Sequence, residues 1–369
     1  MNQKQTKDYS GILSSVFAII LGLIVGLIIL FSCNYEQALP GFYTILSGPF
    51  THGLKGIGQV FYYATPIILT GLSVGFAFKT GLFNIGTPGQ FIMGAFGSVY
   101  VGILFTSLGK TQWIAALLAS ILMGAIWGLV PGMLKAIFNV NEVISSIMMN
   151  YIGMYLVNWI VKSNKPLFNN MRNESRNVAD TAVIPKMGLD KLFPGSSVNG
   201  GILIAILVVI VIWFVLNKTT FGYELRAVGF NRDASKYAGI DEKKGIISSM
   251  MIAGAIAGLA GGLLYLAGTG KHIEIKDVLA PEGFTGISVA LLGLSNPIGV
   301  LFSGIFIAFL TAGGFYLQLF DFSKEIIDII VAVIIYFSAF ALMVKLLIAK
   351  IIRHKKERTA KIKKGGKTS

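Results

Sequence analysis

FGYELRAVGFNRDASKYAGIDEKK, residues 221–244, is the one long run in the second half of the chain, before its tail, that water would dissolve; uncharged apolar segments flank it on both sides. It opens with a mixed-charge turn carrying Glu224 and Arg226, then spells out a short helix. Asn231 is placed to cap that helix by offering its side-chain oxygen to the free amides, and Asp233 lies in the first turn, where the dipole favours negative charge. Lys236 falls near the last turn, and Gly239 supplies the left-handed residue that stops the helix. Tyr223, Ala227, Phe230, Ala234 and Tyr237 recur at steps of four and three, which predicts one apolar stripe facing a partner. A capped, charged, amphipathic element between two oily runs reads as something another protein grips.

Those oily runs set the fold class. Of the 369 residues, 54% are hydrophobic and 13% charged, against roughly 25% charged in soluble domains. Apolar runs of about 20 residues cross a bilayer as helices, so the sequence predicts an all-α integral membrane protein. Ten spans are expected: 11–32, 56–78, one from Phe91 to about 109, 111–134, 143–161, 201–217, 245–270, two within 283–323, and one from Glu325 to Val344. The pair within 283–323 comes from an uncharged run of 38 residues, 283–320, about 57 Å of helix and nearly twice a bilayer core, divided at Asn296-Pro297. Residues 33–55, with Pro40 and Pro49, read as a loop along the interface, and Pro66 as a kink in the second span. The stretch GLFNIGTPGQF, 81–91, holds Gly86, Pro88 and Gly89 and predicts irregular backbone before the third span. The first span is expected to be retained, because no small-residue cleavage site follows Leu30.

Charge then orients the chain. The formal net charge is +14, and ten of the 31 Lys and Arg lie in the last 25 residues. A basic tail beside a membrane span marks a cytoplasmic end next to anionic lipid rather than a nucleic-acid site. With both termini cytoplasmic, 20 of the 31 basic residues fall inside, as the positive-inside rule requires. The expected division is a cytoplasmic N-terminus at 1–10, a single transmembrane domain at 11–344 and a basic cytoplasmic tail at 345–369. Within that domain, 218–244 faces the cytosol and 162–200 forms a large extracellular loop. That outer loop carries six basic residues, and long loops translocate largely regardless of charge.

Enzymatic and metal chemistry find little footing. His52, His272 and His354 are scattered without ligand partners at metal spacing, Cys33 is alone, and neither a phosphate-binding P-loop nor a GxSxG elbow occurs. Ion-coupled transporters place ionisable groups within spans, whereas Glu142 and Asp328 stand near helix N-termini, where the dipole stabilises a carboxylate. Neutral polar groups are better represented. Asn84 and Gln90 flank the 86–89 corner, and Asn150 and Asn158 fall two turns apart in the fifth span. Such amides either pair helix to helix or serve a neutral, hydroxyl-rich cargo. Tyr151, with Tyr155 and Trp159, either packs or offers a surface on which a flat base stacks. GxxxG pairs, among them Gly22/Gly26, Gly71/Gly75, Gly124/Gly128, Gly254/Gly258 and Gly258/Gly262, fit a Gly-rich helical bundle but follow from composition alone in a chain with 44 glycines.

GLFNIGTPGQFIMGAF, NEVISSIMMNYIGMYL and FGYELRAVGFNRDASKYAGI, with LLGLSNPIGVLFSGIFIA, occur in that order over residues 57–336. Together they resemble the permease subunits of bacterial ABC importers in the branched-chain amino acid and simple sugar permease family, and most of all its nucleoside permeases. The resemblance implies a ten-helix fold similar to the vitamin B12 importer type, in the cell membrane. It implies that Glu224, Arg226, Gly229, Asn231, Asp233, Tyr237 and Gly239 belong to a loop that docks on an ATP-binding subunit. Asn84, Gln90, Asn150, Tyr151 and Asn158 are, on the reading of the residues above, the candidates for the substrate path. Further implied partners are a second, related permease and an extracellular lipid-anchored binding protein. ATP and Mg would be bound by the ATPase, leaving this chain without a cofactor. Simple sugars or branched-chain amino acids are alternative cargoes, and an ion-coupled secondary transporter is the alternative of another class.

Overall fold

A chain surrounded by hydrocarbon must pair its backbone groups internally, and helices do so within each segment. The computed structural model describes residues 10–320 and 322–339. The expected N-terminal segment 1–10, apart from Ser10, the last turns of the tenth span and the basic tail 345–369 lie outside the described residues. Fourteen helices follow one another along the described chain: α1 Ser10–Cys33, α2 Ala38–Thr51, α3 Gly53–Lys79, α4 Thr87–Leu104, α5 Gln112–Phe138, α6 Glu142–Ser163, α7 Leu189–Leu192, α8 Gly201–Lys218, α9 Thr220–Phe230, α10 Arg232–Tyr237, α11 Glu242–Tyr265, α12 Pro281–Leu292, α13 Pro297–Phe315 and α14 Lys324–Ala339. Six stretches, built on α3, α5, α6, α8, α11 and α13, are long and apolar enough to cross a membrane.

The bundle is built around α3 and α11. α3 is buried on every side from Ala64 to Ala77, and α11 is buried almost continuously from Ala253 to Leu264. Around them stand α4, α5, α8, α12 and α13, while α1 packs on α14 and α6 on α4 and α5. α5 and α8 expose Leu118, Leu122, Ile126, Leu207 and Ile210 on their outer faces, the surface a lipid-facing helix presents. The α5–α11 crossing explains two of the GxxxG pairs. A Cβ on Gly124 or Gly128 would collide with the backbone of α11, and a Cβ on Gly254 or Gly258 with that of α5. Glycine lets these two backbones touch, so dispersion contacts replace side-chain spacers.

Four sequence expectations need correction. Residues 33–55 are not a loop: 38–51 form α2, fourteen residues and about 21 Å long, too short to span. Pro40 sits in its first turn, where the missing N–H breaks no helical bond. The irregular corner is shorter than expected, since α4 begins at Thr87 and holds Pro88 in its first turn. The seventh span stops at Tyr265, and Gly268 and Gly270, both at positive φ, carry the chain away. α12 is a twelve-residue half-length helix, about 18 Å. Pro66 lies within α3 without ending it.

The division at Asn296-Pro297 stands as read. Asn296 caps α13 by accepting from Ile298 N and Gly299 N at 3.0 and 3.4 Å, with Pro297 as the first helical residue. The 162–200 loop is folded down onto the bundle. A two-residue antiparallel ladder pairs Phe168 with Ser175 and Asn169 with Glu174, and Ser175 N donates to Ile273 O at 2.9 Å. Ile184 N reaches Leu266 O at 2.9 Å, and Ala182, Ile184 and Val198 are buried beneath.

Candidate functional site

The 218–244 island becomes two helices separated by one extended residue, Asn231. Thr219 caps α9, accepting from Gly222 N at 3.0 Å. α9 buries Gly222, Leu225 and Val228. Gly222 lies against the backbone of Val215 and Leu216 at the end of α8, and Gly229 against Lys79 and Thr80 at the end of α3; neither site has room for a Cβ. Asn231 then takes extended backbone (φ −158°, ψ 111°) and caps α10, accepting from Ala234 N at 3.0 Å. α10 ends in a Schellman turn: Gly239 has φ +81°, Gly239 N donates to Lys236 O and Ile240 N to Ser235 O, each at 3.0 Å. Asp241 caps α11 from Lys244 N at 3.1 Å. That amide, and then the Lys244 ammonium, hold the Asp241 carboxyl below its ordinary range.

The seven predicted coupling residues therefore divide by role. Gly229, Asn231 and Gly239 shape the backbone. Glu224, Asp233 and Tyr237 are exposed, while Arg226 is half-buried along its own helix, its Nε donating to Gly222 O at 3.4 Å. Tyr237 and Phe230, which the periodicity placed on one stripe, stand 95% and 90% exposed, on two helices rather than one. Glu224, Arg226 and Asp233 have no salt-bridge partner among the described residues. Two bare aromatic rings amid unpaired charges stand on a scaffold of caps and close backbone contacts, forming an exposed knob.

The amide residues of the predicted path divide as well. Asn84 and Gln90, both buried, pair reciprocally: Asn84 Nδ2 donates to Gln90 Oε1 at 2.8 Å and Gln90 Nε2 to Asn84 Oδ1 at 3.0 Å. Asn84 Oδ1 also accepts from Gly86 N at 3.2 Å. Gly86, at the N-cap of α4, has no side chain to offer, and Asn150 of α6 supplies one from across the interface. Its Oδ1 accepts from Gly89 N at 2.9 Å and its Nδ2 donates to Ile85 O at 3.0 Å. Asn84 and Gln90 thus satisfy each other, and Asn150 satisfies the backbone of the corner. Asn158 is elsewhere, half-buried and donating to Lys276 O at 3.1 Å. Tyr151 turns to the exposed face of α6 with Tyr155 and Trp159.

A cavity of about 630 Å³ lies between α3, α12, α13 and α14, and none of the predicted path residues lines it. Tyr62, Tyr63, Phe284 and Phe315 form its aromatic wall, with Tyr63 and Phe315 stacked at 5.3 Å between centroids. Lys271 and Glu282, ion-paired at 2.9 Å, and Asp328 bring charge to it. The one sequence signal was Asp328, a carboxylate set within an apolar run.

The chain matches the model of the branched-chain amino acid transport system permease component over residues 56–339. It is 37% identical to the guanosine ABC transporter permease protein NupP of Bacillus subtilis, over 94% of this chain and 98% of that protein. It is 33% identical to the nucleoside ABC transporter permease protein NupB of Lactococcus lactis, over the full length of both. A second Bacillus subtilis protein, the guanosine ABC transporter permease protein NupQ, is 29% identical over 67% of this chain and 77% of its own length. No solved structure matches.

Proposed function

From the premise that this chain belongs to the permease-component family of branched-chain amino acid transport systems, we propose that it is the membrane-spanning subunit of an ATP-driven nucleoside importer. Similarity to permeases named for guanosine and for nucleosides, running nearly end to end, carries this reading. The chain is a transport subunit, and hydrolysis belongs to a separate ATPase that binds ATP and Mg. Two different permeases of one bacterium, both named for guanosine, are similar to it, which favours a heterodimer of related permeases. A lipid-anchored binding protein would deliver cargo from outside. Both termini lie in the cytoplasm and the arrangement is of the vitamin B12 importer type, with α12 entering the membrane as a half-length helix.

In this reading the ATPase grips α9 and α10. Closure of the ATPase on ATP presses the knob carrying Phe230 and Tyr237, and α10 has no route to yield except through its neighbours. Val228 and Ile240 pack with Ala77, Leu82, Ile246 and Met250, and Gly229 is seated on the end of α3. The push therefore arrives at the feet of α3 and α11, the two central helices. α3 reaches from that foot to the cavity, whose wall includes Ile67, about 18 Å away at 1.5 Å per residue. Two arrangements of these rigid helices, biased by nucleotide on the partner, give alternating access.

The test is uptake of labelled purine ribonucleoside by cells that lack other nucleoside carriers and express the complete transporter. Unlabelled nucleosides should displace the label, and ribose and leucine should not. Uptake of ribose or leucine in place of nucleoside would overturn the assignment.

A further inference from the structure

We propose that the cavity between α3, α12, α13 and α14 is the chamber through which the nucleoside passes, and that the Asp328 carboxylate receives its ribose diol. This rests on the nucleoside reading above and names the site it lacks. Size is the first argument: about 630 Å³ falls within the roughly 300–1,000 Å³ of small-molecule sites. Wall chemistry is the second. Aromatic faces on one side suit a flat heterocycle, and the hydroxyls of Thr285, Ser288 and Thr311 line the same space. Thr285 and Thr311 donate their protons to Pro281 O and Ile307 O at 3.1 and 2.9 Å, so both turn acceptor lone pairs toward a cargo rich in N–H and O–H donors.

Charge separates this cargo from an amino acid. Lys271 is engaged by Glu282 at 2.9 Å and stands 5.8 Å from the Tyr265 ring, so cation and anion neutralise each other at the cavity edge. Asp328, one turn into α14, has no ion-pair or hydrogen-bond partner among the described residues. Among the described residues lining this space, an α-carboxylate would meet an unpaired anion and no unpaired cation. A vicinal diol presents two O–H donors to one carboxylate, a charge-assisted pair of bonds. The free acceptor and the neutral, donor-bearing ligand match.

The experiment compares a purine ribonucleoside with its 2′,3′-dideoxy analogue, each at saturating concentration, in cells carrying the complete transporter. In Asp328→Ala, ribonucleoside uptake should fall roughly tenfold, the scale of one charge-assisted hydrogen bond, while dideoxynucleoside uptake holds. Equal loss of both substrates, or loss of neither, would overturn the diol assignment. The chamber has its own readout: in a Cys33→Ser background, Thr285→Cys should react with a small thiol reagent several times more slowly when nucleoside is present. Labelling unchanged by nucleoside, in a variant that still transports it, would overturn the chamber. Failure of the unmutated transporter to take up either nucleoside would instead remove the reading beneath both.

Discussion

A single amide decides how the 81–91 corner is held. Asn150 lends α4 the cap that Gly86 cannot provide, reaching from α6 to Gly89 N and Ile85 O. Replacing it with leucine keeps the bulk but strands both backbone groups in a buried site, at about 1–3 kcal/mol each. Asn150→Leu should therefore lower the melting temperature of the purified protein in detergent. Unchanged melting with lost uptake would instead put Asn150 on the cargo path. The sequence announced Asn84, Gln90 and Asn150 as polar groups within oily runs, and both roles were open. What it did not encode locally is that Asn150 meets the corner, because it and its partners Ile85 and Gly89 are some sixty residues apart.

At the scale of elements, the α9–α10 pair was the most legible part of the chain. Its caps are local: Asn231 to Ala234, Gly239 closing on Ser235, Asp241 to Lys244, each within five residues. Two readings failed: the expected mixed-charge turn carrying Glu224 and Arg226 is the helix α9, and extended backbone at Asn231 breaks the expected stripe and puts Phe230 and Tyr237 on separate helices. If these rings are what the ATPase grips, Phe230→Asp with Tyr237→Asp should cut uptake at least tenfold and release the ATPase on purification. The exposed positions of both rings mean that melting of the permease itself should hold within about 0.5 kcal/mol. Retained ATPase and full uptake would remove these residues from the interface. α2 was less legible: its two prolines suggested a loop, yet Pro40 falls in the first turn and Pro49 lies inside the helix without ending it before Thr51. The cavity was least legible of all, assembled from α3, α12, α13 and α14 with no motif linking Tyr63 to Asp328.

Across the whole molecule, α3 joins the two ends on which the proposed mechanism depends. Its foot touches the knob through Gly229, and its buried length carries any displacement to the cavity wall at Tyr62, Tyr63 and Ile67. That mechanism requires the knob to face the cytosol, where ATP is. The direct measurement is accessibility of one introduced thiol. Tyr237 is the position of choice, because Ser235 beside it is buried, and Cys33→Ser removes the chain's single native thiol. In that background, a membrane-impermeant maleimide should leave Tyr237→Cys unlabelled in intact cells and label it once the membrane is opened. Labelling in intact cells would place the knob outside, beyond reach of any ATPase.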